Sequence, residues 1–291
     1  MHYVKAKGIL SAYNGMNIYR GCQHGCIYCD SRSTCYQISH PFEDIEVKQN
    51  AGELLDRVLR SRRKPCMIGT GSMSDPYIPL ESELGMTRRA LEIIYHYGCG
   101  VSLLTKSDRV LRDLDILCAI NERTKAVVQM TITTLDDTLC SLIEPGASVT
   151  SHRLRALKRF NEAGIPTVVW LCPVLPYIND TMANISGIVD ACASVGVKGI
   201  IQFGMGLTLR DGNRSYYYNA LDKHFPGLKE KYIRKYGNHY ELPSPREKEL
   251  LKCFHERCDY RGILHNNDTI FRYLSELEDK TPQMSLWEET E

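Results

Sequence analysis

From about residue 16 to about residue 205, short apolar runs alternate with amphipathic stretches. Six runs have β character: MNIYRG (16–21), CMIGTG (66–71), GVSLLTKS (100–107), AVVQMTITT (126–134), PTVVWLCPV (166–174) and VKGIIQFGM (197–205). Between them, AGELLDRVLR (51–60), MTRRALEIIYHYG (86–98), DRVLRDLDILCAINE (108–122), SHRLRALKRFNEAG (151–164) and DTMANISGIVDACASVG (180–196) carry apolar residues at helical spacing. Gly98 reads as a helix stop, and Asp108 and Ser151 as N-caps. Such alternation predicts parallel β-α units joined by right-handed crossovers. Six units are too few for a closed eight-stranded barrel. The pattern therefore predicts an α/β fold, an open partial (βα)6 TIM-like barrel, with a flat doubly wound sheet as the alternative. In either, ligands gather at the carboxyl ends of the strands. Chemistry is expected in the loops at 21–35, 71–85, 105–109, 132–150, 172–180 and 204–215.

Beyond residue 213 the pattern changes. RSYYYNALDKHFPGLKEKYIRKYG and SPREKELLKCFHERCDY read as consecutive helices, with Ser244 and Pro245 opening the second. The expected organisation is a barrel over 1–213, a helical appendage over 214–280 and a flexible tail over 281–291. The chain has 291 residues, 43% of them hydrophobic, enough for a sizeable core. No run approaches the ~18 apolar residues of a membrane span. The N-terminal stretch has no apolar signal segment, so a cytoplasmic location is expected. In a reducing compartment the twelve cysteines are expected to be buried small hydrophobes, metal ligands or reactive thiols, not disulfides. The net charge of +1 gives no global basic field to attract nucleic acid.

Four cysteines fall within YRGCQHGCIYCDSRSTC (19–35). Cys22, Cys26 and Cys29 form C-x3-C-x2-C, and Gly21 and Gly25 let a short loop fold tightly around a bulky group. Thiolates bind zinc or the iron of iron–sulfur clusters. Three ligands on a [4Fe–4S] cluster leave one iron open, whereas structural zinc takes four, with Cys35 as the candidate fourth. Cys253 and Cys258 read as packing positions in a helix.

The three spaced cysteines, the aromatic Tyr28 before the last of them, and the run of β-α units resemble the radical S-adenosylmethionine (SAM) superfamily. NIYRGCQHGCIYCDSRS, GTGSMSDPYIPLE, TKSDRVLRDLDIL, IEPGASVTSHRLRALKRFNEAGIPT and CPVLPYIND resemble, more narrowly, its spore photoproduct lyase-like, DNA-repair photolyase-like group. The resemblance implies that Cys22, Cys26 and Cys29 hold a [4Fe–4S] cluster and that SAM chelates the open iron. A reductant such as flavodoxin or ferredoxin would drive cleavage of SAM to a 5′-deoxyadenosyl radical, which takes hydrogen from the substrate. It also implies SAM contacts from Lys106, from Thr131 or Thr133, and from Tyr28 beside the adenine. Gly69 and Gly71 would bring backbone close to the methionyl amine. Ser72, counted with the SAM-binding loop, stands where the lyase group carries its hydrogen-donor cysteine. That departure counts against the lyase's own mechanism. Cys66 and Cys172 are the alternative thiols, though each reads first as a buried structural cysteine.

Several residues carry two readings. Asp75 either orders its loop through an Asx bond before Pro76 or takes part in chemistry. Glu144 and Arg153 either pair with each other or touch SAM or substrate. Asn179 and Asp180 read as caps of the following helix. Arg57 to Lys64 falls at the amino end of the barrel, away from the active face, whereas Lys106, Arg109 and Arg112 are better placed for phosphate. The tyrosines of RSYYYN (214–219) either stack bases or pack the appendage. QMSLW (283–287) resembles the peptide by which bacterial polymerases and repair proteins bind the sliding clamp, with Gln283, Leu286 and Trp287 as contacts. The expected function is a radical SAM enzyme, a lyase acting in DNA lesion repair or an enzyme of nucleic-acid modification. The alternatives are a non-catalytic module built on zinc or a closed iron–sulfur site, and a clamp-tethered adaptor.

Overall fold

The structure, a computed structural model, describes residues 1–280. Its centre is a six-stranded parallel sheet: β1 (Gly15–Met16), β2 (Met67–Thr70), β3 (Gly100–Thr105), β4 (Ala126–Thr131), β5 (Thr167–Trp170) and β6 (Gly199–Ile201). The strands lie side by side in chain order, the signature of repeated β-α units. Helices α1 (Ala51–Arg60), α2 (Met86–His96), α3 (Leu114–Arg123), α4 (Asp137–Ile143), α5 (Thr150–Glu162) and α6 (Met182–Ser194) provide the crossovers. Val128, Met130, Val169 and Ile200 face these helices in the main core. The intervening residues Val127, Val168 and Ile201 point to the concave side, as strand alternation requires.

The first strand differs from the sequence expectation. Only Gly15 and Met16 pair with β2; Tyr19–Arg20 leaves the barrel and pairs with Glu46–Lys48 in a small three-stranded sheet with His2–Val4. Several caps also differ. Ser107, not Asp108, accepts from Arg109 N at the start of a 3-10 segment that precedes α3. Ser151 lies inside α5 and donates to Asp137. Thr181 caps α6, because Asn179 Oδ1 is taken by Leu175 N and Asp180 Oδ1 by Tyr177 N.

The region after residue 213 is more than a bundle of helices. It holds α7 (Asn213–His224), α8 (Leu228–Tyr236), α9 (Glu247–Arg261) and α10 (Asn267–Ser275). A short strand β7 (Gly206–Thr208) follows the barrel and pairs antiparallel with β8 (Glu241–Pro243), which returns from the C-terminal region. In α10, Ile270 and Leu274 pack on Val127, Val168 and Ile201, so this helix fills the concave face of the open barrel from below. α9 lies against α6, where Asp190 receives Arg257 and Arg261. Tyr217 of the RSYYYN segment is fully buried and bonded to Tyr232, whose hydroxyl donates to Pro176 O. Among the described residues no helix is long and apolar enough to cross a membrane. Gln283, Leu286 and Trp287, the expected clamp contacts, lie outside the described residues.

Candidate active site

The cysteine loop is held from three sides. Gly21 has φ +87°, and a Cβ there would lie 2.4 Å from Phe42 O, so the approach to Cys22 requires glycine. Ser74 donates to Gly21 O at 2.6 Å, and Gln23 Oε1 accepts from Leu80 N at 3.2 Å. Ile27 N donates to Ile143 O at 2.9 Å and Gly146 N to His24 O at 2.8 Å. The buried His24 places Nδ1 3.0 Å from Gly146 O and Nε2 3.1 Å from Asp75 Oδ2.

Asp75 is the knot of the second loop. Its carboxylate accepts from Tyr77 N (2.8 Å), Thr105 Oγ1 (2.7 Å) and Lys106 N (2.7 Å). Burial alone would raise its pKa; His24 and these donors outweigh burial and hold it at about 2. Asp75 therefore makes the expected Asx bond and also ties the β2 and β3 loops to the cysteine loop. Gly71, at φ +99°, lies against β3 so closely that a Cβ would sit 1.9 Å from Leu104 O.

At the carboxyl ends of the strands these loops enclose a cavity of about 530 Å³, a usual size for a small-molecule or cofactor site. Cys26, Tyr28, Cys29, Ser72, Lys106 and Thr131 all line it. The sequence left Thr131 and Thr133 open. Thr131 ends β4 and lines the cavity; Thr133 lies past the strand, where its carbonyl receives Asn179 and Asn184. Lys106 is half-buried, with Nζ 5.9 Å from the centre of the Tyr28 ring. Burial lowers its pKa, but Cys26 and Glu144 more than offset this and the net shift is upward, so it stays cationic.

Behind the cavity, Glu144 and Arg153 form a fully buried ion pair. Glu144 also accepts from the Tyr28 hydroxyl, and Arg153 donates to Thr131 O (2.8 Å) and Ser148 O (2.7 Å). Burial would raise the Glu144 pKa; Arg153 and Lys106 overcome it and hold the carboxyl below its ordinary range. A pair with all these bonds satisfied fixes Tyr28 and the end of β4 in place.

The donor set fits a cluster of iron and sulfur. Cys22, Cys26 and Cys29 are free thiols on one loop. Burial pushes Cys22 up to about 12 and Cys26 well above its ordinary value, so thiolates here need the positive charge of a metal. His24 N already points at Cys22 Sγ, 3.5 Å away. Cys35 is exposed on a 3-10 turn, does not line the cavity, and has Arg210 Nη1 3.8 Å from its sulfur.

Other expected residues fall elsewhere. Arg112 is occupied by Glu81 and Asp113, and neither it nor Arg109 lines the cavity. Cys66 sits at the amino end of β2, beside Arg62 and far in the fold from the strand ends that carry the cavity. Cys172 does line the cavity, and burial pushes its thiol up to about 12. Trp170, Phe203, Glu241 and Glu247 also line it, and sequence reasoning missed them. Trp170 had one signal, its position two residues before Cys172 in the same apolar run.

A sequence model of the radical SAM superfamily matches residues 16–186. The chain belongs to this superfamily. It is a radical SAM enzyme, and the cofactors of the superfamily, a [4Fe–4S] cluster and SAM, are its cofactors. It is 29% identical over 245 residues to the uncharacterized protein Rv2578c of Mycobacterium tuberculosis, covering 81% of this chain and 71% of that protein. It is 32% identical over 167 residues to the uncharacterized protein MJ0683 of Methanocaldococcus jannaschii, covering 57% and 61%. Its fold is similar to that of spore photoproduct lyase complexed with dinucleoside spore photoproduct, with TM-score 0.63 and 17% identity over 85% of this chain and 74% of that one. The radical SAM methyltransferase TsrM from Kitasatospora setae, with tryptophan substrate and a SAM analogue bound, gives TM-score 0.55 and 13% identity over 84% and 52%.

Proposed function

We propose that Cys22, Cys26 and Cys29 hold the [4Fe–4S] cluster, and that the cavity beside them binds SAM and a nucleic-acid substrate for radical repair or modification. The observation that carries this reading is the opening of the cysteine loop, through Cys26 and Cys29, into a cavity also lined by Tyr28, Ser72, Lys106 and Thr131. When bound, the cluster and SAM supply a 5′-deoxyadenosyl radical, with the electron coming from a protein reductant such as flavodoxin or ferredoxin.

The chain's own residues bind and orient. The Lys106 ammonium, held cationic, complements the SAM carboxylate. Thr131 offers a hydroxyl, with its backbone fixed by Arg153. Ser72 presents the β2 loop to the same cofactor, and Tyr28, pinned by Glu144, gives a rigid ring for the adenine. Ser72 is a poor hydrogen-atom donor. Cys172, protonated by burial and lining the cavity, is the better-placed thiol to return hydrogen to a substrate radical.

The nucleic-acid reading is supported by the likeness in fold to the lyase complex. The test is anaerobic turnover with SAM and dithionite, repeated with damaged DNA and with tRNA. The reading predicts 5′-deoxyadenosine coupled to a modified nucleotide. SAM cleavage that never couples to any nucleic acid would assign the enzyme another substrate. A protein that holds only zinc and leaves SAM intact would make it a binding module.

A further inference from the structure

The cavity has a second wall, formed by Trp170, Phe203, Glu247 and Glu241, whose chemistry is unlike that of the cysteine side. Phe203 is 61% exposed. One neighbour, Phe271, is stacked with it at 6.1 Å and 27° between planes, and Trp170 is tilted against it at 5.8 Å. The Trp170 ring is locked because its Nε1 donates to Gln129 Oε1 at 2.8 Å, while Gln129 donates to Ser102 at 2.8 Å. An aromatic side chain of this exposure at the rim of a cavity is a ready surface for a planar ring.

The charges on this wall are negative. Glu247 is half-buried beside Gly204; its Oε1 takes only a long bond from Met205 N (3.4 Å), and Oε2 has no partner among the described residues. Glu241, on β8, has no side-chain partner among them either. Asp30 also lines the cavity, but Tyr36, Ser33 and Arg210 occupy it. Among the described lining residues the one cation is Lys106, on the cofactor side. A phosphate meets repulsion along this wall, and so does the 4-carbonyl that thymine and uracil carry where cytosine has its amino group. A ring edge that donates N–H is accepted, as carboxylates accept from the amino group of cytosine.

We propose that this wall selects an amino-bearing nucleobase, stacked on Phe203 and Trp170 with its amino edge toward Glu247. The proposal rests on the nucleic-acid reading above and narrows it: the base enters, its phosphates stay outside, and thymine and uracil are disfavoured. The base can come from a free nucleoside or from a base turned out of a strand.

The test uses holoenzyme with cluster and saturating SAM, anaerobic and without reductant, so that SAM stays intact. Calorimetric titration compares cytidine with uridine and guanosine with inosine, pairs that differ in an exocyclic amino group. It then compares single-stranded oligodeoxycytidylate and oligocytidylate with the thymidylate and uridylate oligomers. Preference for the amino member by about tenfold is expected, the discrimination of one well-placed polar contact. Binding of nucleosides assigns a free source, and binding of oligomers alone assigns a strand; either, with the preference, supports the proposal. Phe203→Ala should weaken both members of a pair by about tenfold through lost stacking, with SAM affinity unchanged. Glu247→Gln should bring the cytidine-to-uridine ratio toward one.

Equal binding of cytidine and uridine, or oligomer binding indifferent to base, overturns the proposal while leaving the nucleic-acid reading intact. Loss of SAM affinity in Phe203→Ala also overturns it, by giving this wall to the SAM adenine. Absence of binding by every nucleoside and oligomer overturns both.

Discussion

The two walls of the cavity are built in opposite ways. On the cysteine side the two buried carboxylates are each tied by several partners: Glu144 by Arg153 and Tyr28, Asp75 by His24, Tyr77, Thr105 and Lys106 N. On the other side Phe203 is largely exposed and Glu247 is held by one long bond. A wall fixed before any ligand arrives suits a cofactor that must be placed identically in every turnover. A wall with open rings and unmet acceptors suits a ligand that supplies the missing contacts itself. The contrast also follows the chain. The fixed wall comes from the loops of the first four β-α units, the open one from β5, the segment after β6 and the C-terminal region.

Breaking the fixed wall should cost most. Glu144→Gln leaves the Arg153 guanidinium buried without its counterion, and stability should fall by about 3–5 kcal/mol, the usual penalty for half of a buried ion pair. Chemical denaturation measures this, and the loss should come with disorder at Tyr28. A loss below about 1 kcal/mol, the range of exposed pairs, would show that the pair is not structural.

Next in size is the helix beneath the cavity. Ile270→Ala removes a fully buried side chain between α10 and the concave face, at a cost of about 2–4 kcal/mol. Because α10 supports the floor near Trp170, its fluorescence should shift to the red, while SAM binding by the opposite wall persists. Loss of SAM binding at full folding would mean that the two walls are not independent.

Lys106→Ala should act on the ligand more than on the fold. Removing one charge-assisted contact should weaken SAM by about 1.5–3 kcal/mol, read by equilibrium binding to the unreduced holoenzyme, with little change in melting. A melting loss with unchanged SAM affinity would make Lys106 a structural cation.

The smallest effect is expected far from both walls. Arg257 and Arg261 hydrogen-bond Asp190 and hold it at about 2, below its ordinary 3.8. Their contribution is present above pH 3.8 and is lost as the pH falls through about 2. Asp190→Asn should cost under ~1 kcal/mol near neutrality, as half-exposed pairs do, and should flatten the stability profile only between those two pH values.

Most of the fixed wall was legible in the sequence because its signals are local. The cysteine spacing, the strand preceding Lys106 and the Asx geometry of Asp75-Pro76 each lie within a few residues. Where local signals competed, tertiary contacts decided. Asn179 and Asp180 look like caps, yet their side chains serve the preceding turn and Thr181 caps the helix. Thr131 and Thr133 share a period, but only Thr131 belongs to the strand. The open wall left almost no trace. Phe203 and Glu247 line one cavity because α9 begins beside Gly204 after a long excursion through α7 and α8. The place of α10 on the concave face is likewise a property of packing, invisible in its own amphipathic pattern. Arg112, which looked free to meet phosphate, is consumed by two buried carboxylates.

The central claim is that three cysteines, and not four, hold the cluster. The direct measurement is iron and acid-labile sulfide per chain after anaerobic reconstitution, for the parent protein and for Cys22→Ala, Cys26→Ala, Cys29→Ala and Cys35→Ala, with 5′-deoxyadenosine formation measured on each. The account predicts about four iron for the parent, the content of one [4Fe–4S] cluster, and the same for Cys35→Ala with SAM cleavage retained. It predicts loss of the cluster and of 5′-deoxyadenosine in each of the other three. A cluster that disappears with Cys35, or that survives without Cys22, Cys26 or Cys29, would contradict it.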